Sequence, residues 1–130
     1  MPHWLRIVLA IAAGFVVWWV VATVGNWAIR ALLPGYAEVE KAMTFSLAML
    51  VARLVLGAVS SLAAGATATT IARRARVASL VLAFLLLALF IPVHASLWPR
   101  FPAWYHIVFL VSLPLLVLAG ARLATSARKP

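Results

Sequence analysis

Hydrophobic positions dominate four long stretches of the chain, and charged residues separate these stretches. Uncharged runs cover residues 7–29, 77–99 and 101–121, and a further run over residues 42–72 is interrupted only by Arg53. A helix needs about 20 apolar residues to cross about 30 Å of hydrocarbon, whereas a membrane-spanning strand uses only about 9–11 alternating residues. The pattern therefore predicts four transmembrane helices, at about residues 6–30, 42–72, 77–97 and 102–123.

The connections between the predicted helices are short and contain prolines, which cannot continue a helix. Pro34 follows the first span, and Pro99 and Pro102 lie between the third and fourth. Consecutive spans are therefore expected to be antiparallel neighbours. We expect a single all-α domain over residues 1–130, in which four helices form two antiparallel hairpins. The first span exceeds the roughly 7–15 apolar residues of a signal peptide, so we expect it to be retained.

The composition agrees with a membrane protein and excludes several other classes. Hydrophobic residues make up 67% of the chain and charged residues 10%, against about 45–50% and about 25% in soluble domains. A soluble domain of 130 residues has too little interior to bury so many apolar side chains. The absence of cysteine excludes disulfide exchange, thiolate catalysis and iron–sulfur clusters.

The distribution of the net charge of +9 predicts an orientation. Both termini and the middle connection hold seven cations: Arg6, Arg73, Arg74, Arg76, Arg122, Arg128 and Lys129. The other two connections hold three cations and both acids: Arg30, Lys41, Arg100, Glu38 and Glu40. Because cytoplasmic loops are enriched in Lys and Arg, we expect a multi-pass protein of the bacterial cytoplasmic (inner) membrane, with both termini in the cytoplasm.

The same cations suggest lipid rather than nucleic acid as the partner, because they lie between apolar spans. The turn with Arg73, Arg74 and Arg76 is expected to fix the topology and to contact anionic lipid headgroups. We expect no nucleic-acid binding.

Arg53 is the most informative polar residue, because it lies four residues from Gly57, the midpoint of the second predicted span. A charge at that depth costs about 2.5–3.5 kcal/mol on insertion scales. A helical projection places Arg53 on one face with small and hydroxyl residues, including Ser46, Gly57, Ser60, Ser61, Ala64 and Ala68. In one interpretation this face packs inside the bundle and Arg53 extends toward headgroups or a glutamate. In the other, Arg53 lines a polar cavity and binds an anionic substrate or a lipid phosphate.

A second cluster is expected at the outer end of the spans. His94 and His106 are each six residues from Arg100, so an antiparallel hairpin places both at a similar depth. Glu38 and Glu40 belong to the other outer connection. Two histidines and a carboxylate are a plausible metal-ligand set, but no metal motif is present, and we expect neither a metal nor another cofactor. Hydrogen bonding within an interfacial aromatic belt is the expected role of the histidines.

The last third of the chain resembles the final helix of small, uncharacterised bacterial four-helix membrane proteins. The residues that carry this resemblance are Phe101-Pro102-Ala103-Trp104-Tyr105-His106, Leu113-Pro114 and Gly120-Ala121-Arg122. The resemblance implies a four-helix membrane fold and no particular activity.

Two kinds of function are consistent with these patterns. The first is a structural or interaction subunit that contacts a membrane-protein partner or a second copy of itself. The small residues Gly57, Ser61 and Gly65, spaced by four, are typical of closely packed helices and favour this function. The alternative is an oligomeric small transporter or channel in which Arg53 faces a polar cavity. An enzyme is not expected, because no convergent catalytic set is recognisable.

Overall fold

The computed structural model describes residues 1–73 and 75–127, and these residues are almost entirely helical. The helices are α1 (His3–Leu32), α2 (Tyr36–Ala42), α3 (Leu47–Ile71), α4 (Arg76–Ser96) and α5 (Ala103–Ala127), with a short 3-10 turn at Trp98–Arg100. Four of them, α1, α3, α4 and α5, are long and apolar enough to cross a membrane. The predicted all-α class with four such helices is confirmed. Arg74, Arg128 and Lys129, counted among the cations, lie outside the described residues.

The second span begins at Leu47, later than the predicted residue 42. Met43 ends α2 with a left-handed backbone (φ 56°), and the hydroxyl of Ser46 accepts a hydrogen bond of 3.3 Å from the backbone N–H of Met49. Ser46 therefore caps α3, because its oxygen satisfies one of the free N–H groups at the helix start. The expectation that Ser46 lies on the polar face of the helix was wrong.

The later start of α3 also changes the depth of Arg53. Arg53 lies about 9 Å along the axis from the first residue of α3, Leu47, at 1.5 Å per residue. It therefore lies midway between the middle of the span, Val59, and the end at which α3 begins. This end, which also carries α2 and the 3-10 turn, is called the α2 end; the opposite end, with residues 71–76, is called the turn end.

Glycines set the closest approaches between helices. A Cβ atom on Gly65 of α3 would collide with the backbone carbonyl of Val117 in α5, and one on Gly120 of α5 would collide with the carbonyl of Leu62 in α3. On the other side of α3, a Cβ on Gly14 of α1 would lie 3.0 Å from the carbonyl oxygen of Ala64. The small face of α3 is therefore used for close packing against α1 and α5 of the same chain.

An aromatic layer fills the centre of the bundle. Trp18 of α1 packs against Phe90 of α4 with ring centroids 4.8 Å apart, and Phe90 packs against Phe109 of α5 at 5.1 Å. The indole N–H of Trp18 donates a 3.1 Å hydrogen bond to the hydroxyl of Ser61. This layer lies directly below the polar groups of the α2 end and forms the floor of the site described next.

Candidate functional site

Arg53 is held by two tyrosines from different parts of the chain. Its Nη1 donates to the hydroxyl of Tyr36 in α2 at 2.9 Å, and its Nε donates to the hydroxyl of Tyr105 in α5 at 3.2 Å. The ring of Phe45 lies 4.7 Å from the guanidinium carbon. Tyr36 and Tyr105 are buried, so the guanidinium has a fixed position. Sequence reasoning missed both tyrosines as partners.

The short helix α2 is tied to α1 by a second polar group. Asn26 of α1 accepts a hydrogen bond of 3.1 Å from the hydroxyl of Tyr36 and donates one of 2.9 Å to Glu40. Arg30 completes the group with an ion pair to Glu40 at 2.6 Å. These contacts place α2 across the end of the bundle, next to Arg53.

The ionisation of Glu40 follows from these contacts. Burial alone would raise the pKa of Glu40. Hydrogen bonds from Asn26 and Arg30 and the charge of Arg30 lower it by more than burial raises it, so the pKa of this carboxyl lies below its usual value. Glu40 is therefore ionised at neutral pH and neutralises Arg30.

The charge of Arg53, by contrast, has no directly bonded carboxylate. Within the described part of the chain, both of its hydrogen-bond partners are neutral phenols. Glu40 is bonded to Arg30 and Asn26, and Glu38, the other acid of the chain, is exposed on α2. The local group of Arg30, Arg53 and Glu40 therefore carries one net positive charge.

A cavity of about 450 Å³ lies beside Arg53. Its polar lining residues are Thr23, Asn26, Arg30, Glu40, Arg53, His94 and Tyr105. Its apolar lining includes Trp18, Trp19, Leu56, Phe90, Leu97 and Phe109. Gly57 also lines the cavity, whereas Ser60 and Ser61 are buried in the helix packing below it. The cavity is therefore amphipathic, with a cationic wall and an aromatic floor.

His94 and His106, which the sequence placed only at a similar depth, are in direct contact. Their Nδ1 atoms are 2.7 Å apart, and both side chains are buried. The ring of His106 also stacks on Trp98 at 4.7 Å. Only one of the two Nδ1 atoms can carry the shared proton, so the pair contains one donor and one acceptor.

The surroundings of His106 indicate which tautomer is present. Its Nε2 is buried and has no hydrogen-bond partner within residues 1–73 and 75–127. A buried N–H without a partner is rarer and more costly than a bare acceptor, so we assign the His106 proton to Nδ1. His94 then accepts at Nδ1 and keeps its own proton on Nε2, which gives the cavity wall one further donor. No group of three metal-ligating side chains occurs within residues 1–73 and 75–127.

The structure thus brings together only part of the predicted site residues. Arg53, Gly57, His94 and Glu40 line one cavity, and His106 supports it from behind. Glu38 does not line the cavity. Arg73 and Arg76 lie at the turn end of the bundle, far from Arg53 along α3.

Comparison of the chain with protein-family models, with curated proteins and with solved structures finds no match. The fold and site therefore define a class only: a small helical protein with four helices long and apolar enough to cross a membrane. The resemblance of the last third of the chain to small bacterial four-helix proteins stays a prediction.

Proposed function

We propose that this protein binds an amphiphilic anion, a molecule with an acidic head and an apolar chain, in the cavity beside Arg53. The observation that carries the proposal is the guanidinium of Arg53. It lies in α3, a helix long and apolar enough to cross a membrane, its bonded partners are neutral, and it faces a cavity whose other surface is apolar.

Electrostatics favours an anionic head. A charge in an apolar environment is costly unless it is paired, and the net positive charge of Arg30, Arg53 and Glu40 is paired by a monoanion. The tyrosines use Nε and Nη1 of Arg53, which leaves Nη2 for a carboxylate or phosphate oxygen. The remaining proton of His94 supplies a second donor on the same wall.

The apolar surface favours a hydrocarbon chain behind that head. The volume of about 450 Å³ lies within the range of about 300–1,000 Å³ that is typical of small-molecule sites. Trp19, Trp27 and Val93 line the cavity and are also 40%, 60% and 41% exposed on the surface of their helices. A chain can therefore leave the cavity between α1 and α4 directly into the surrounding lipid.

The proposal includes an orientation. With both termini in the cytoplasm of a bacterial inner membrane, as the charge asymmetry predicts, the α2 end lies in the outer leaflet. The two hairpins of the sequence-based prediction are part of this proposed topology. An anionic amphiphile would then reach Arg53 from the outer leaflet.

The cavity and the helix packing support the two functions expected from the sequence to different extents. A small transporter that uses Arg53 in a polar cavity is compatible with this site, and the cavity is formed within a single chain. The interaction subunit stays a prediction, but the small face of α3 that motivated it packs within the chain. A partner would have to use another surface.

The test uses the tryptophans that line the cavity. The purified protein is placed in phosphatidylcholine nanodiscs, and binding of a chain-brominated stearate is followed by quenching of tryptophan fluorescence. We expect a saturable component of quenching by the acid, whereas its methyl ester should show only the non-saturating quenching of tryptophans exposed to lipid. Arg53→Gln should weaken binding of the acid by about tenfold or more, since hydrogen bonds to charged groups contribute about 1.5–3 kcal/mol.

Arg100→Gln is the matched control, because it removes one positive charge at the same end from a residue that does not line the cavity. Its affinity for the acid should equal that of the unmodified protein. Arg53→Lys retains the charge but not the two-tyrosine geometry, so its affinity should be intermediate. Equal affinity for acid and ester, or an equal loss in Arg53→Gln and Arg100→Gln, would contradict the proposal.

A further inference from the structure

A second cavity, of about 600 Å³, lies at the turn end of the bundle, between the start of α4 and the last turns of α5. We call it the α4–α5 cleft. Its polar lining comes from three helices: Thr69 of α3, Arg76 and Ser79 of α4, and Arg122, Thr125 and Ser126 of α5. Two guanidinium groups from different helices therefore face one cavity, together with several hydroxyl groups.

Neither arginine of the cleft has an acidic side chain at its end of the molecule. The chain contains only two acidic side chains, Glu38 and Glu40, and both belong to α2 at the opposite end. The neighbouring Arg73 adds further positive charge to the turn end. The counter-ion of Arg76 and Arg122 must therefore come from outside these side chains.

The start of α4 strengthens the preference for an anion. Its N-cap residue, Ala75, provides no side-chain hydrogen bond to the first turn. Free backbone N–H groups and the helix dipole at such an end favour negative charge. The attraction of this helix end for an anion adds to that of the two guanidinium groups. Guanidinium groups are suited to phosphate because their planar N–H groups donate in pairs to its oxygens.

The apolar lining distinguishes a lipid from a free ion. Leu80 of α4 and Leu118 of α5 line the same cleft, and Leu80 is 42% exposed on the surface of its span. If Arg76 and Arg122 hold a phosphate, an acyl chain attached to it can pack on the apolar surface next to them. We infer that the α4–α5 cleft binds the phosphate of an anionic phospholipid headgroup, with the acyl chain along Leu80 and Leu118.

The test is native mass spectrometry of the protein released from nanodiscs that contain equal amounts of phosphatidylglycerol and phosphatidylcholine. We expect one retained phosphatidylglycerol for each chain and little phosphatidylcholine. The double variant Arg76→Gln/Arg122→Gln should reduce this retention by about tenfold or more, given about 1 kcal/mol for each cation near a lipid surface.

The control is the double variant Arg6→Gln/Arg73→Gln. It removes the same charge from the same end, because α1 begins beside residues 71–78, but neither residue lines the cleft. Any headgroup contact of Arg73 lies outside the cleft, so this variant should still retain one phosphatidylglycerol for each chain. Circular dichroism of both variants checks that the helices are intact, and Arg122→Lys gives a milder change that should cause a partial loss.

Three results would overturn the inference. The first is an equal loss in both double variants, which would show attraction by charge alone. The second is equal retention of the two lipids by the unmodified protein. The third comes from adding inorganic phosphate at millimolar concentration to protein in phosphatidylcholine alone. Phosphate binding there that needs Arg76 and Arg122, together with loss of the retained phosphatidylglycerol when the same phosphate is added to the mixed-lipid nanodiscs, would identify a free-phosphate site instead.

Discussion

Arg53 and Trp18 show how polar groups inside a span are satisfied within one chain. Hydrocarbon offers no hydrogen-bond partner, so each such group needs a protein partner or a ligand. Trp18 has one, the hydroxyl of Ser61 at 3.1 Å, which itself donates to the carbonyl of Gly57 at 2.8 Å. Arg53 has hydrogen bonds to Tyr36 and Tyr105 but no bonded charge among the residues that the structure describes. The indole is thus satisfied in the free protein, whereas the guanidinium is satisfied only in part.

The pair of Trp18 and Ser61 gives a prediction about stability. Ser61→Ala leaves the buried indole N–H without a partner, so we expect the free energy of unfolding to fall by about 1 kcal/mol. Unfolding in a titration with sodium dodecyl sulfate, followed by circular dichroism, measures the change. Ser60→Ala is the control, since the Ser60 hydroxyl donates only to the carbonyl of Leu56 in its own helix. An equal effect of both substitutions would show that the contact between helices contributes nothing.

At the scale of helices, hydropathy predicted the spans but not the short helix that completes the site. Each long apolar run is long enough, as a helix, to cross the hydrocarbon layer of a membrane, so its helical state follows from composition alone. The seven-residue α2 has no such signal, and contacts distant in sequence, such as Tyr36 with Asn26 and Arg53, hold it in place. The partners of Arg53 were unpredictable for the same reason, because Tyr36 and Tyr105 are far apart in the chain. Tyr105 could be assigned from its position only to an interfacial belt.

Helix pairing was also only partly accessible from the sequence. The spacing of Gly57, Ser61 and Gly65 correctly marked a face for close packing. It could not show that α1 and α5 of the same chain cover that face. The collision that a Cβ on Gly65 would make with Val117 depends on the rotation of two helices, which hydrophobic content does not determine.

The attachment of α2 to α1 should depend on pH through Glu40. The pKa of Glu40 in the folded protein lies below the usual 4.5, so its contribution is fully present above that value. It is lost as the pH falls through the lowered pKa, because protonation removes the charge that pairs with Arg30. The ion pair is partly exposed, with side-chain accessibilities of 44% for Arg30 and 24% for Glu40, so we expect local loosening rather than global unfolding.

This loosening is measurable with a fluorophore on α2. The chain has no native cysteine, so Ala37→Cys gives a single labelling site. Access of iodide to the fluorophore should increase as the pH falls below 4.5. Glu40→Gln should show the increased access already at pH 7 and little further change in acid. The exposed Glu38 supplies the comparison: Glu38→Gln should behave like the parent, and a pH response that survives in Glu40→Gln would assign the effect to another group.

At the scale of the whole molecule, charge is divided between two ends that differ in kind. The α2 end holds both acids, Arg30 paired with Glu40, and the guanidinium of Arg53, which is hydrogen-bonded to two tyrosines beside an aromatic cavity. The turn end holds cations without any acidic side chain, at an open cleft. The two proposed sites therefore do not compete for a ligand, because each lies in a different leaflet of any membrane that the four helices span.

The assignment of these leaflets is the last prediction. Seven cations at the termini and middle connection, against three at the other connections, favour the termini in the cytoplasm. The absence of native cysteine allows single-cysteine variants without background: Ala37→Cys reports on the α2 end and Ala127→Cys on the last turn of α5. In intact cells, a membrane-impermeant maleimide should label Ala37→Cys, and it should label Ala127→Cys only after the membrane is permeabilised.

The reverse pattern would move Arg53 to the inner leaflet, and its amphiphile would then have to come from the cytoplasm. Labelling of both variants in intact cells would indicate mixed orientation, which an asymmetry of seven against three does not predict.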